Sequence, residues 1–113
     1  MLLAVDCGNT NTVFAIYDGN IQRANWRIST DTKRSADEYL VWLAQLMRLK
    51  SLAVDDVTDM IIASVVPEVQ PKLINLASRG FGIVPQVVGA RGIDLGIDIH
   101  IDRPDQAGAD RLV

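Results

Sequence analysis

A polar turn centred on one glycine lies between two strand-forming runs at the start of the chain, and it restricts the possible folds more than any other feature. Met1–Val5 is apolar, Asp6–Thr10 is polar around Gly8, and Asn11–Tyr17 is rich in β-branched and aromatic residues. This pattern predicts a strand, a tight turn and a second strand. It also places a carboxylate, backbone amides and a hydroxyl at the end of a buried strand, where they suit either a nucleotide phosphate or an ordinary hairpin turn.

Two more elements follow in the first half of the chain. Asp18–Asn20 is a turn signal, and the loosely alternating Ile21–Ile28 then predicts the third strand of an antiparallel meander. Ser35 and Glu38 have the spacing of a capping box, and apolar residues recur at helical intervals after them. We therefore expect a helix over Ala36–Leu49.

The second half of the sequence indicates parallel strands joined by a helix. The apolar run Met60–Val66 fits a strand that is buried on both faces. Pro67 is expected to begin a helix that ends at Gly80. Ile83–Val88 predicts a strand, and its proline, which has no N–H to donate to a neighbouring strand, suggests either an edge strand or a strand-start position. A connection interrupted by Gly and Asp follows over Arg91–Ile101.

The resulting order βββαβαβ predicts an α/β fold in which helices flank a mixed sheet. This layout corresponds to one half of an actin-like (ribonuclease H-like) fold. The sequence stops in an apolar stretch at Leu112-Val113, without a helix cap or a polar tail. We therefore expect residues 1–113 to form one N-terminal actin-like domain that is truncated at its C-terminal end.

Charge and cysteine content narrow the class of protein. The 113 residues carry a net charge of −3 with acidic and basic residues interspersed, so no Lys or Arg cluster is available to neutralise a nucleic acid. Cys7 is the only cysteine, which excludes an internal disulfide. The apolar stretch before Asp6 is far too short to span a bilayer. We expect a cytoplasmic protein that binds neither nucleic acid nor membrane.

Three segments in order resemble the type III pantothenate kinases. They are Asp6–Thr10, Ser64–Pro67 and Pro104–Arg111, which ends in Gly-Ala-Asp-Arg. The resemblance spans the whole chain, and the spacing of the segments fits the family. It implies an actin-like kinase that transfers the γ-phosphoryl group of ATP to the primary hydroxyl of pantothenate. The product is 4'-phosphopantothenate, in the first step of coenzyme A biosynthesis.

The resemblance also implies the partners of the reaction. ATP and pantothenate are the ligands, Mg²⁺ and a monovalent cation (K⁺ or NH₄⁺) are the cofactors, and the full-length protein is a homodimer. The family's second phosphate motif, adenosine contacts and monovalent-cation site fall mostly beyond Val113. Because the nucleotide cleft of this fold forms between two halves, we expect these 113 residues alone to lack kinase activity.

By this resemblance, the first segment is a phosphate loop. The residues implied to bind the phosphates of ATP are Asp6, Cys7, Gly8, Asn9, Thr10, Asn11, Thr12 and Val13. A carboxylate would repel a triphosphate directly, so Asp6 is implied to act through Mg²⁺ or its waters.

The last segment is similar to the family's substrate-binding motif. Its residues are Gly108, Ala109, Asp110 and Arg111. Asp110 occupies the position of the catalytic base, although Asp is also a favoured N-cap residue of helices and the two roles can coexist. Family members often have a tyrosine seven residues before the motif's glycine, and this chain has Ile101 there.

Three other readings fit parts of the sequence. Other actin-fold phosphotransferases, such as sugar or acetate kinases, share a first phosphate loop but lack the Gly-Ala-Asp-Arg ending. The Bvg accessory factor, named as a transcriptional activator, resembles this family in sequence, but the lack of a basic stripe weighs against direct DNA binding. The third reading is a non-catalytic ATP-binding scaffold, which replacement of Asp110 would distinguish from a kinase.

Overall fold

The computed structural model describes residues 1–88, which form a five-stranded sheet with helices. The strands are β1 (Leu2–Cys7), β2 (Asn11–Asp18), β3 (Ile21–Ser29), β4 (Asp59–Ser64) and β5 (Gln86–Val88). The helices are α1 (Ala36–Leu49) and α2 (Gln70–Asn75), with a 3₁₀ turn at Val54–Asp56 and a π-helical turn at Leu76–Phe81 that continues α2. The predicted order βββαβαβ is therefore confirmed. In this described part, no helix is long and apolar enough to cross a membrane.

The sheet has the strand order β3-β2-β1-β4-β5. β1, β2 and β3 form the predicted antiparallel meander. β1 also pairs with β4, and β4 with β5, in the parallel direction. Parallel neighbours require a crossover connection, and α1 and α2 lie on the connections that lead into β4 and β5. The prediction of a mixed sheet with flanking helices is confirmed.

The main core lies between one face of the sheet and the helices. Successive residues of a strand point to opposite faces, so alternate side chains of the central strands reach this core. Its largest fully buried side chains include Leu3, Phe14, Ile16, Tyr39, Leu43, Met47, Ile62 and Leu73. β4 is buried on both faces, as its apolar run predicts. The smaller cluster on the opposite face contains Ala4, Ala15, Tyr17, Ile61, Ala63 and Val88.

The first strand is longer than the sequence pattern predicts. The pattern assigns Asp6 and Cys7 to the polar turn, but both residues belong to β1. Asp6 is aligned with Val13 of β2 and with Ala63 of β4, so its backbone lies between two paired strands. The turn is therefore limited to Gly8–Thr10, and the sheet rather than the turn fixes the carboxylate.

Helix α1 has the predicted bounds and the predicted cap. The Ser35 Oγ accepts a hydrogen bond from the Glu38 N–H at 3.2 Å, and the Glu38 Oε1 accepts one from the Ser35 N–H at 2.7 Å. The bond from the Ser35 backbone, together with the bond to its side chain, lowers the pKa of Glu38 below its ordinary value of 4.5. Both halves of the capping box therefore form.

The second helix begins and ends later than predicted. Pro67 lies in a turn, and α2 begins three residues later with a different proline, Pro71, near its start. Gly82 ends the helical segment instead of Gly80, because Gly82 adopts the left-handed conformation at φ +69°. Gly80 packs against Leu40, where an added Cβ would lie 3.0 Å from a methyl carbon. Packing, and not termination, accounts for Gly80.

β5 lies at the edge of the sheet, as predicted, but is shorter than predicted. Ile83–Pro85 precede the strand and pair with no strand of the described part of the chain. The expected connection over Arg91–Ile101 falls outside the described residues.

Replacing Ser35 with alanine is expected to destabilise the protein by about 1 kcal/mol, because the first turn of α1 loses its side-chain cap.

The folded-state pKa of Glu38 is lowered, so the stability that its carboxylate adds is present above the unfolded-state pKa and is lost as the pH falls through the folded-state value. Urea unfolding near neutral pH and at ~pH 3 measures both effects. The exposed Ser78→Ala is the matched control, and equal stability of Ser35→Ala and the parent protein at neutral pH would contradict this prediction.

Candidate functional site

The first two of the three sequence segments, Asp6–Thr10 and Ser64–Pro67, meet at one edge of the sheet, where the carboxyl ends of β1 and β4 lie side by side. Parallel pairing aligns Cys7 at the end of β1 with Ser64 at the end of β4. The Val65 N–H donates to the Cys7 carbonyl at 3.0 Å, which extends the contact past the strand ends. In open α/β sheets, ligands bind outside the carboxyl ends of parallel strands, because groups from several loops converge there. This edge is therefore the candidate site.

The turn Gly8–Thr10 projects beyond β1 into solvent. Asn9 and Thr10 are exposed, as is Asp6 just before the turn. The Gly8 N–H donates to the Asn11 carbonyl at 2.9 Å and closes the turn. A Cβ on Gly8 would lie 3.3 Å from that carbonyl, a close approach that favours glycine. The turn thus presents backbone groups and polar side chains next to a carboxylate.

Thr30, the residue after β3, is hydrogen-bonded to this turn. Its Oγ1 donates to the Gly8 carbonyl at 2.7 Å, and its N–H donates to the Thr10 carbonyl at 2.8 Å. Its Oγ1 also lies 2.9 Å from the Thr12 Oγ1. No sequence signal marks Thr30 as part of the site, because these contacts depend on how β3 is aligned with β2. A single threonine thus bonds to the first and last residues of the turn.

Cys7 and Thr12 lie below the turn and are completely buried. The Thr12 Oγ1 is 3.4 Å from the Cys7 Sγ. A buried side chain does not reach a ligand in solvent, so these two residues support the turn from below. The predicted phosphate-loop residues with exposed side chains are Asp6, Asn9, Thr10 and Asn11, and Val13 is partly buried.

The loop between β3 and α1, which begins at Thr30, is itself fixed to both helices. The Arg34 Nη1 donates to the Ser29 carbonyl at 2.6 Å, and the Lys72 Nζ of α2 donates to the Thr32 carbonyl. The Arg34 guanidinium carbon lies 5.7 Å from the centre of the Tyr39 ring in α1. Burial raises the pKa of the Tyr39 hydroxyl, so a neutral phenol lies next to this cation.

β4 ends at Ser64, before the predicted end at Val66. The Ser64 Oγ accepts from the Val66 N–H at 3.0 Å and also lies within hydrogen-bond distance of the Val66 carbonyl, at 3.1 Å. These local bonds offer the backbone an alternative to the strand ladder, which explains the earlier end. They leave Val65 exposed beside the end of β1.

Asp6 is the metal-binding candidate of this site. Among residues 1–88, no group of three or more His, Cys, Asp or Glu side chains could hold a metal ion. Mg²⁺ does not require such a group, since it commonly binds one or two carboxylates together with substrate phosphates and water. A single exposed carboxylate beside an exposed turn therefore fits Mg²⁺ that arrives with a nucleotide.

The third segment, with its residues Gly108, Ala109, Asp110 and Arg111, lies outside the described residues. Their part in a site remains a prediction, as does the consequence of Ile101.

Comparisons with known sequences identify one family. Residues 2–113 match the family described as type III pantothenate kinase. Proteins named type III pantothenate kinase from Rhodospirillum rubrum and Maricaulis maris are 55% and 52% identical to the chain over 113 residues. These alignments cover 100% of this chain and 44% of each relative. The chain thus spans less than half the length of the curated relatives it matches.

Comparison with solved structures supports the fold. The ROK hexokinase from Thermus thermophilus matches with a TM-score of 0.64 at 11% sequence identity, covering 88% of this chain and 38% of that one. At this identity the likeness concerns the fold alone. It agrees with the predicted actin-like α/β class, which is confirmed.

Proposed function

The chain belongs to the type III pantothenate kinase family, and we propose that the protein transfers the γ-phosphoryl group of ATP to the primary hydroxyl of pantothenate. The product is 4'-phosphopantothenate, in the first step of coenzyme A biosynthesis. The names of the two relatives support this substrate pair. The observation that carries the proposal is the exposed turn Gly8–Thr10 beside Asp6, at the carboxyl end of β1.

The phosphate side of the proposed site is the segment Asp6–Val13. Backbone N–H groups of a tight turn suit phosphate oxygens, because they supply partial positive charge without a basic side chain. The exposure of Asn9 and Thr10 supports this role. When bound, Mg²⁺ would neutralise charge on the phosphates, and Asp6 is the residue that would hold it directly or through its waters.

The proposed substrate side is the segment Gly108–Arg111. Asp110 acts as the general base: it orients the pantothenate hydroxyl and accepts its proton as the new oxygen–phosphorus bond forms and the bond to ADP breaks. A carboxylate with a pKa near ~4 suffices, because phosphoryl transfer depends mainly on alignment and charge compensation. Arg111 supplies a planar cation that suits the carboxylate or a hydroxyl of pantothenate.

The remaining features of the proposal concern the whole protein. Since the chain covers 44% of its relatives, we propose that residues 1–113 form the N-terminal actin-like half and that this half alone is inactive. The proposal includes a homodimer in the cytoplasm, a monovalent cation (K⁺ or NH₄⁺), and no binding to nucleic acid or membrane. Both relatives are named as kinases, so an activator resembling the Bvg accessory factor is not proposed further.

An assay of the full-length protein tests the proposed reaction. With ATP and Mg²⁺, we expect ADP release that depends on pantothenate and yields 4'-phosphopantothenate, detected by mass spectrometry. Glucose, N-acetylglucosamine and acetate serve as competing acceptors for other actin-fold kinases. Phosphorylation of one of these in place of pantothenate, or no ATP use with any acceptor, would refute the proposal.

Replacing Asp110 with asparagine in the full-length protein should lower kcat at least about a hundredfold, because the amide cannot accept the hydroxyl proton. Steady-state kinetics measures the loss, and circular dichroism checks that the fold is intact. Asp55→Asn, an exposed carboxylate in the 3₁₀ turn Val54–Asp56, is the matched control and should retain activity. Unchanged turnover in Asp110→Asn would remove this residue from the mechanism.

Replacing Asp6 with asparagine should raise the Mg²⁺ concentration needed for half-maximal activity by about tenfold, because the variant loses the charge that faces the metal. Titration of Mg²⁺ at fixed ATP gives this value. Asp18→Asn is the control, since Asp18 is an exposed carboxylate at the other end of β2. An unchanged Mg²⁺ requirement in Asp6→Asn would show that Asp6 has no link to the metal.

A further inference from the structure

The hydrogen bonds of Thr30 to Gly8, Thr10 and Thr12 restrict the directions in which the backbone amides of the turn can point. We propose that Thr30 is a positioning residue that orients the Asn9 N–H toward a bound phosphate. This inference rests on the proposed function, since it requires phosphate to bind at the turn. Thr30 itself is not expected to touch the nucleotide.

The orientation of the peptide bond between Gly8 and Asn9 determines where the Asn9 N–H points. A trans peptide is planar, and its C=O and N–H point in opposite directions. No cis peptide occurs in the described chain. The Gly8 carbonyl accepts from the Thr30 Oγ1 at 2.7 Å, so the Asn9 N–H must point away from Thr30. Among residues 1–88, this N–H donates to no protein acceptor and is available to a ligand.

Thr30 also determines the direction of two carbonyl groups of the turn. A carbonyl oxygen that faced the triphosphate would repel it, because the oxygen has a partial negative charge and the triphosphate is an anion. The Gly8 carbonyl is bonded to the Thr30 side chain, and the Thr10 carbonyl to the Thr30 backbone at 2.8 Å. One residue therefore directs two acceptors of the turn toward β3 and away from the nucleotide.

Holding the Gly8 carbonyl requires a hydroxyl group at position 30, because the carbonyl oxygen can only accept a hydrogen bond. A hydroxyl group has one proton to donate, and the proton of Thr30 goes to the Gly8 carbonyl. The proton of Thr12 can then serve either the Thr30 Oγ1 at 2.9 Å or the Cys7 Sγ at 3.4 Å, so Thr12 does not compete for the Gly8 carbonyl. Thr12 is completely buried, so water cannot easily replace this arrangement. A residue without a hydroxyl at position 30 would leave the Gly8 carbonyl with only the weak donor Cys7 Sγ at 3.8 Å.

The loop that carries Thr30 is anchored independently of the turn. The Lys72 Nζ of α2 donates to the Thr32 carbonyl, and the Arg34 Nη1 donates to the Ser29 carbonyl at 2.6 Å. The capping box at Ser35 fixes the end of the same loop to α1. Thr30 thus links the exposed turn Gly8–Thr10 to a loop that is itself hydrogen-bonded to α2 and capped onto α1.

The test compares Thr30→Val with Thr30→Ser in the full-length protein. Valine keeps the shape of the side chain but removes the hydroxyl, whereas serine keeps the hydroxyl. We expect Thr30→Val to raise the KM for ATP about fivefold, the effect of one lost hydrogen bond of ordinary strength. The KM for pantothenate should stay within about twofold, and Thr30→Ser should restore the parent KM for ATP.

The matched control is Thr58→Val. The Thr58 Oγ1 donates to the Met1 carbonyl at 3.4 Å, so this variant also removes a hydroxyl-to-carbonyl bond, but at the opposite end of β1. Its KM for ATP should equal that of the parent protein. Thr30→Ala is the second variant if the valine variant fails to fold, since alanine places no methyl group against the Gly8 carbonyl.

Several outcomes would overturn the inference. An unchanged KM for ATP in Thr30→Val, or equal rises in both KM values, would mean that Thr30 does not position the phosphate site. Loss of folding in both the valine and alanine variants would make Thr30 a folding residue instead. If the parent protein phosphorylates pantothenate while any of these results is found, only the inference fails. If the parent protein does not use ATP with pantothenate, the proposed function fails first.

Discussion

The parallel pairing of β1 with β4 is the interaction on which the rest of this structure depends. It joins a strand of the N-terminal meander to a strand that comes after α1, and so unites two distant parts of the chain in one sheet. Both faces of β4 are buried as a result, which accounts for its unbroken apolar sequence. The same pairing aligns Cys7 with Ser64 and thereby forms the edge at which the exposed turn lies.

The site at this edge has an unusual charge balance for a protein that we propose to bind a triphosphate. The turn contains no Lys or Arg, the Asp6 carboxylate lies two residues before Gly8, and the whole chain has a net charge of −3. Direct charge attraction from these residues is therefore absent. Phosphate would instead be bound by backbone N–H groups that point toward it and by a cation held at the carboxylate. The direction of each peptide group in the turn is therefore important.

Local signals in the sequence were sufficient for some elements and not for others. Helix α1 was predictable because its capping box and apolar spacing lie within the helix itself. The polar side chain of Asp6 at the end of an apolar run predicts a turn, whereas pairing with strands on both sides keeps Asp6 in β1. Gly80 and Gly82 could not be told apart without the packing of Leu40 and the left-handed backbone. Thr30 was not predictable, because its contacts require three strands to be in register.

We propose that the turn Gly8–Thr10 is a preformed phosphate site, held by Thr30 after β3 and completed by a metal ion at Asp6. The most direct measurement is a crystal structure of the full-length protein with Mg²⁺, a non-hydrolysable ATP analogue and pantothenate. We expect a phosphate oxygen to accept from the Asn9 N–H, Mg²⁺ or one of its waters to contact Asp6, and the Thr30 bonds to persist. A triphosphate bound away from this turn, or a turn that rearranges and releases Thr30 on binding, would contradict the account.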